Sequence, residues 1–132
     1  MAFVFRFCWG GYIASQLAAT GLFQAAVSVH GCMHDGEDVK KAKAPLFFVT
    51  VPNDPFYDAA KIASCEAAGA RVHVFDGMYH GFVVRGDFAN NDAVCGDIQH
   101  INRSIKDMFQ QVRAAANTAV EEIVAFVKEH TL

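Results

Sequence analysis

Three side chains able to share a proton relay stand beside turn-forming residues: a thiol at Cys8, a carboxylate at Asp54 and an imidazole at His80. Cys8 ends the apolar run Ala2–Phe7 and precedes Trp9-Gly10-Gly11. Small residues behind a nucleophile let the backbone turn sharply and lift the side chain clear of a sheet. A helix starting there points its free N–H groups at the sulfur, which favours the thiolate. The backbone N–H of Trp9 is then a natural oxyanion donor. A buried, inert thiol is nevertheless the commoner fate of a lone cysteine. His80 lies in Gly77-Met78-Tyr79-His80-Gly81-Phe82 and has the chemistry of a general base for such a thiol. Asp54, between prolines in Pro52-Asn53-Asp54-Pro55, fits either a turn aspartate or the carboxylate that orients an imidazole. Asp58 is the rival acid and reads better as a helix start.

These residues need elements to bring them together. Ala2–Phe7, Ala25–Val29, Leu46–Val51 and Arg71–Phe75 read as strands, and Tyr12–Thr20 and Asp58–Ala68 as helices ending at Gly21 and Gly69. Cys32–Lys43 reads as polar and turn-like, and Asp76–Asp87 as a loop. From about Asn90 to His130 the period is helical, with a weak point near Ala116–Thr118. Strands alternating with helices predict an α/β fold of about four parallel strands with flanking helices. Ligands of such sheets collect at the carboxyl ends of the strands. There Cys8, His30, Asp54 and the pair Tyr79–His80 follow successive strands, so nucleophile, acid and base converge on one rim.

Phe7-Cys8-Trp9-Gly10-Gly11, Pro52-Asn53-Asp54 and Tyr79-His80-Gly81-Phe82 resemble the three signatures of dienelactone hydrolases. The resemblance runs from Phe3 to about Phe88 and is looser in the terminal helix. It implies a partial α/β-hydrolase fold over residues 1–132 as one domain, the N-terminal strands missing. It also implies a Cys8–His80–Asp54 triad that opens a small ester or lactone through an acyl-thiol intermediate, without metal or organic cofactor. Tyr79, His30 and Arg85 become candidate substrate-binding residues, although a surface role is the commoner one for an arginine such as Arg85.

The sequence departs from the family pattern at Arg6, where members carry Gly two residues before the nucleophile. A long side chain there should strain the elbow or swing into neighbouring space. Gly81 stands where members often have Ser. The loop giving a second oxyanion N–H and an upstream Glu precede the first strand in the family, so they are missing too. An apolar first strand at a sheet edge predicts a homo-oligomer formed through Ala2–Phe7. The alternative function is therefore a non-catalytic family member serving as a binding or self-associating module.

Composition narrows the partners. The chain has 132 residues, 53% hydrophobic and 19% charged, with a net charge of −3. That balance describes a globular domain and gives no footprint for nucleic acid. Lys40, Lys41 and Lys43 read as a solvated loop. No stretch reaches the ~18 apolar residues of a membrane span, and no secretory signal is recognisable. Four scattered cysteines then read as reduced thiols in the cytoplasm. His30, Cys32, His34 and Asp35 lack the second well-spaced pair of a structural zinc site, so no metal is expected. Cys65 and Cys95 read as packing residues, and His73 as the outward face of its strand. Ile101, Ile105, Met108, Phe109 and Val112, continued by Val120, Ile123, Val124 and Val127, form a stripe that should cover the sheet.

Overall fold

The computed structural model describes residues 2–32, 34–52, 54–84 and 103–131, side chains of 103–109 excepted. Four strands, β1 (Phe3–Phe7), β2 (Ala25–Val29), β3 (Leu46–Thr50) and β4 (Arg71–Val74), pair in parallel in that order. Helices α1 (Trp9–Thr20), α2 (Gly36–Lys41) and α3 (Ala59–Ala67) lie in the connections, and α4 (Arg103–Thr131) follows β4. Each strand is added on the same side of the last, so right-handed crossovers put α1–α3 on one face. The other face is left to α4.

The packing follows that division. Ala14, Ala18, Val39, Ile62 and Cys65 of α1–α3 meet Val4, Ala26, Leu46 and Phe48. On the opposite face Val112, Ala116, Ala119, Phe126 and Val127 of α4 meet Ala25, Val27, Val29, Phe47 and Val49. The central strands β2 and β3 are buried along their whole length. Coverage of both faces is why they are almost wholly apolar rather than alternating.

Two sequence expectations change, at α2 and at His73, and one open alternative, a single terminal helix or two, is settled. The stretch read as turn-like contains α2, because Asp35 builds a capping box: its carboxylate accepts the Glu37 and Asp38 N–H groups, and Asp38 accepts the Asp35 N–H. Lys40 and Lys41 accordingly belong to the last turn of α2. The terminal helix passes through Ala116–Thr118 unbroken, since Ala116 and Ala119 face the sheet and Thr118 Oγ1 donates to the Ala114 carbonyl. His73 turns to α4 rather than outward: its Nδ1 lies 2.6 Å from Glu122 Oε2 and its ring stacks on Phe75. Arg71 similarly donates to Glu129 at 2.9 Å, tying α4 to the sheet edge. Cys65 is packed as expected and accepts the buried Tyr57 hydroxyl proton at 2.8 Å. Arg85, Cys95, Ile101 and the side chains of Ile105, Met108 and Phe109 lie outside the described residues.

Candidate active site

The site grows from the ends of the strands. Register aligns Phe7 with Val29, Val29 with Val49, and Thr50 with Val74, so the four carboxyl ends stand side by side. Cys8 leaves β1 with φ 51° and ψ −130°, a left-handed conformation that is unusual for a residue with a Cβ. Its N–H donates to the Val29 carbonyl at 3.0 Å, and its carbonyl accepts the Gly11 N–H at 2.8 Å. The chain thus moves from ladder to helix across one strained residue, whose conformation costs on the order of 1–3 kcal/mol. Gly11 permits the turn. A Cβ there would lie 2.3 Å from Ser28 Oγ and 2.8 Å from Gly31 Cα, so α1 packs against the end of β2 only because glycine is present.

Arg6 resolves the expected conflict by leaving the elbow. Its stem lies against Gly10, where an added Cβ would stand 3.2 Å from Arg6 Cβ, and its Nη1 donates to the Phe5 carbonyl at 3.2 Å. The absence of a side chain at Gly10 leaves room for that stem.

The acid and the imidazole meet directly. His80 Nδ1 lies 2.8 Å from Asp54 Oδ2; the carboxyl is wholly buried and the imidazole nearly so. Asp54 Oδ1 accepts the Phe56 N–H at 2.9 Å, an Asx turn that fixes the carboxylate from behind. The Phe56 ring stands edge-on to His80 at 5.1 Å. Asp58 instead caps α3 by accepting the Lys61 N–H.

Trp9 is the first residue of α1, so its N–H belongs to the turn that has no acceptors inside the helix, and its indole is 61% exposed. Tyr79 is about half exposed beside His80. His30 is fully buried beneath the loop, with ring centroids 5.6 Å from His80 and 5.4 Å from Phe82. Cys8 Sγ and His80 are not hydrogen-bonded to each other in this conformation. Such contacts often tighten only when substrate is present.

Two further residues count in the sequence only as candidate metal ligands. Cys32 is half-buried near the centre, and its thiol is pushed up first by burial, then by the charges of Asp54 and Cys8. His34 lies inside the α1–α3 layer, stacked on Phe48 and edge-on to Tyr57, and burial lowers it to about 4. Among the described residues, neither of its nitrogens has a hydrogen-bond partner. His30, Cys32, His34 and Asp35 diverge: His30 lies by Phe82, His34 by Phe48, and Asp35 caps α2.

Comparison with known proteins fits this geometry. Residues 3–131 match the model of the dienelactone hydrolase family. A carboxymethylenebutenolidase homolog of Mus musculus is 33% identical over 87 residues, covering 60% of this chain and 36% of that protein. The Homo sapiens homolog is 34% identical over 88 residues, with the same coverage of 60% and 36%. Among solved structures, a putative dienelactone hydrolase from Klebsiella pneumoniae superposes with a TM-score of 0.67 at 16% identity, over 96% of this chain and 51% of its own. A dienelactone hydrolase-like promiscuous phosphotriesterase from metagenomic libraries gives 0.52 at 18% identity, over 90% and 51%. The chain therefore spans about a third of the curated relatives and half of the solved ones. The structural likenesses establish the fold as that of α/β-hydrolases of this kind, and the match along nearly the whole sequence establishes that the chain belongs to the dienelactone hydrolase family.

Proposed function

We propose that the chain carries the reaction centre of a thiol hydrolase acting on small esters or lactones, with Cys8 as nucleophile, His80 as base and Asp54 as the orienting acid. The observation that carries this reading is the buried 2.8 Å His80–Asp54 pair on the rim where Cys8 occupies a strained strand-to-helix turn. With Nδ1 committed to Asp54, Nε2 is the nitrogen that serves the sulfur. As Sγ attacks the carbonyl carbon, its proton passes to Nε2, and the carbonyl electron pair moves to an oxygen held by the Trp9 N–H. The C–O bond then breaks and the leaving alcohol or enol takes the proton from His80. Water, activated by the same imidazole, attacks the thioester carbonyl. The C–S bond breaks, the acid leaves, and the thiol recovers its proton. No step needs a metal or organic cofactor. Tyr79 stands at the mouth of this centre, and Arg85 has the chemistry to hold a substrate carboxylate. The test is a burst assay with a chromogenic ester: wild type should release product rapidly, and Cys8→Ala should fall to the uncatalysed rate. Equal rates would sink the proposal.

A second reading, a self-associating module, draws on β1. Phe3 and Phe5 are 46% and 41% exposed, and Phe3, Phe5, Phe7, Val120 and Val124 line an apolar cavity of about 340 Å³. This reading takes the chain as non-catalytic, so the burst assay with its Cys8→Ala control separates it from the first. Free thiols at Cys8, Cys32 and Cys65 support a reducing compartment such as the cytoplasm. None of the described helices is long and apolar enough to cross a membrane.

A further inference from the structure

Residue 30 breaks the pattern of its own strand. Alternation along β2 sends Ala26 to the α1–α3 face, with Ser28 beside it against Gly11, and residue 30 should follow them. Instead His30 has φ 44°, and with Cys8 it is one of two non-glycine residues at positive φ among the described residues. The kink delivers its ring among residues of the α4 side, 6.1 Å from Phe7 and 5.4 Å from Phe82. The strand ladder continues through this kink, because the His30 N–H still donates to the Val49 carbonyl at 2.8 Å. A left-handed residue held so firmly marks a conformation that the surroundings impose.

The redirected ring then reaches the loop that carries His80. Nε2 of His30 accepts the Val83 N–H at 3.3 Å, which leaves the ring proton on Nδ1. Most of the loop's own bonds are local turns, such as Phe82 N–H to the Tyr79 carbonyl and Val84 N–H to the Gly81 carbonyl. The loop is tied to the sheet rim by the His80–Asp54 pair, by buried Phe82, and by His30 at Val83.

We infer that His30 is a positioning residue for His80, a role distinct from substrate binding: the β2 kink and the Nε2 to Val83 bond set the height of the loop on which the base rides. The inference rests on the reading of Cys8, His80 and Asp54 given above.

The test compares wild type, His30→Phe and His30→Gln by ester burst and by the pH dependence of Cys8 alkylation with iodoacetamide, followed by peptide mass spectrometry. His30→Phe keeps an aromatic ring and removes the acceptor. It should slow acylation roughly tenfold or more with little change in KM, and move the alkylation profile toward that of His80→Ala. His30→Gln, whose amide oxygen can accept the Val83 N–H, should recover most of both. Val83→Pro removes the donor from the other end and should reproduce the His30→Phe profile, which keeps the test decisive if His30→Phe does not fold. A wild-type burst and profile in His30→Phe, or equal behaviour of the Phe and Gln variants, overturns the inference. An undiminished burst in Cys8→Ala would instead overturn the underlying reading of the site, so the two failures are distinguishable.

Discussion

Two neighbouring strands end in left-handed residues, Cys8 after β1 and His30 after β2, and at His30 this redirects a ring that alternation would place on the other face. Such conformations persist because the ladder bonds on either side hold them. His34 shows burial acting on a single residue. Its ring is fully buried and held neutral, lowered from 6.5 to about 4 by desolvation, with the opposing pull of Asp38 and Asp35 too weak to restore it. As pH falls through 6.5 the unfolded chain binds a proton that the folded chain refuses. The contribution is therefore complete above 6.5 and is lost progressively down to about 4. A shift of that size corresponds to about 3 kcal/mol. Because neither ring nitrogen has a hydrogen-bond partner among the described residues, His34→Phe forfeits no hydrogen bond to them and keeps the stack on Phe48. Urea unfolding at pH 7 and pH 5 should show His34→Phe gaining on wild type at the lower pH. Parallel pH dependence of the two proteins would refute this.

At the scale of elements, short local devices decide what the strands alone cannot. Helix α2 has only six residues, too few to persist by propensity, and stands because of its capping box and its seat on α3. A Cβ at Gly36 would lie 2.7 Å from the Ser64 carbonyl oxygen, so this contact is close, and the Gly36 N–H also donates to Ser64 Oγ. Asp35→Ala removes two acceptor contacts at the helix start and should cost about 1 kcal/mol in denaturant unfolding. Asp35→Asn or Asp35→Ser should retain most of it. If Ala and Asn variants unfold at the same urea concentration, the cap is not what holds α2.

At the largest scale, the consequential feature is that β1 is an edge of the sheet formed by the described residues. Ala2 and Cys8 direct their bonding groups to β2, so by alternation the N–H and C=O groups of Phe3, Phe5 and Phe7 point to the open side. Arg6 occupies one of them, the Phe5 carbonyl, with its own guanidinium. A second copy paired antiparallel about Phe5 would exchange bonds at Phe5–Phe5 and Phe3–Phe7. It would also bring six phenylalanines onto one face. Opposite each Arg6 would stand Val4, so like charges do not meet. Sedimentation should therefore show concentration-dependent dimers, and Phe5→Glu should shift the protein toward monomer while preserving its circular dichroism. A clean wild-type monomer at high concentration would exclude this association.

Much of this was readable in the residues. The four strands and the helices α1 and α3 follow from apolar runs punctuated by glycine and proline, and in β2 and β3 burial on both faces demands continuous hydrophobicity. Strand-helix alternation then dictated a parallel sheet and thereby the rim that holds Cys8, Asp54 and His80. Only the tertiary structure decided where Arg6 goes, since that depends on the empty space above Gly10. Likewise it alone turned His30 into the loop's support, His34 into a neutral core residue and His73 into a partner of Glu122. Those outcomes arise from contacts between residues distant in the chain, and neither periodicity nor spacing along a sequence encodes such distances.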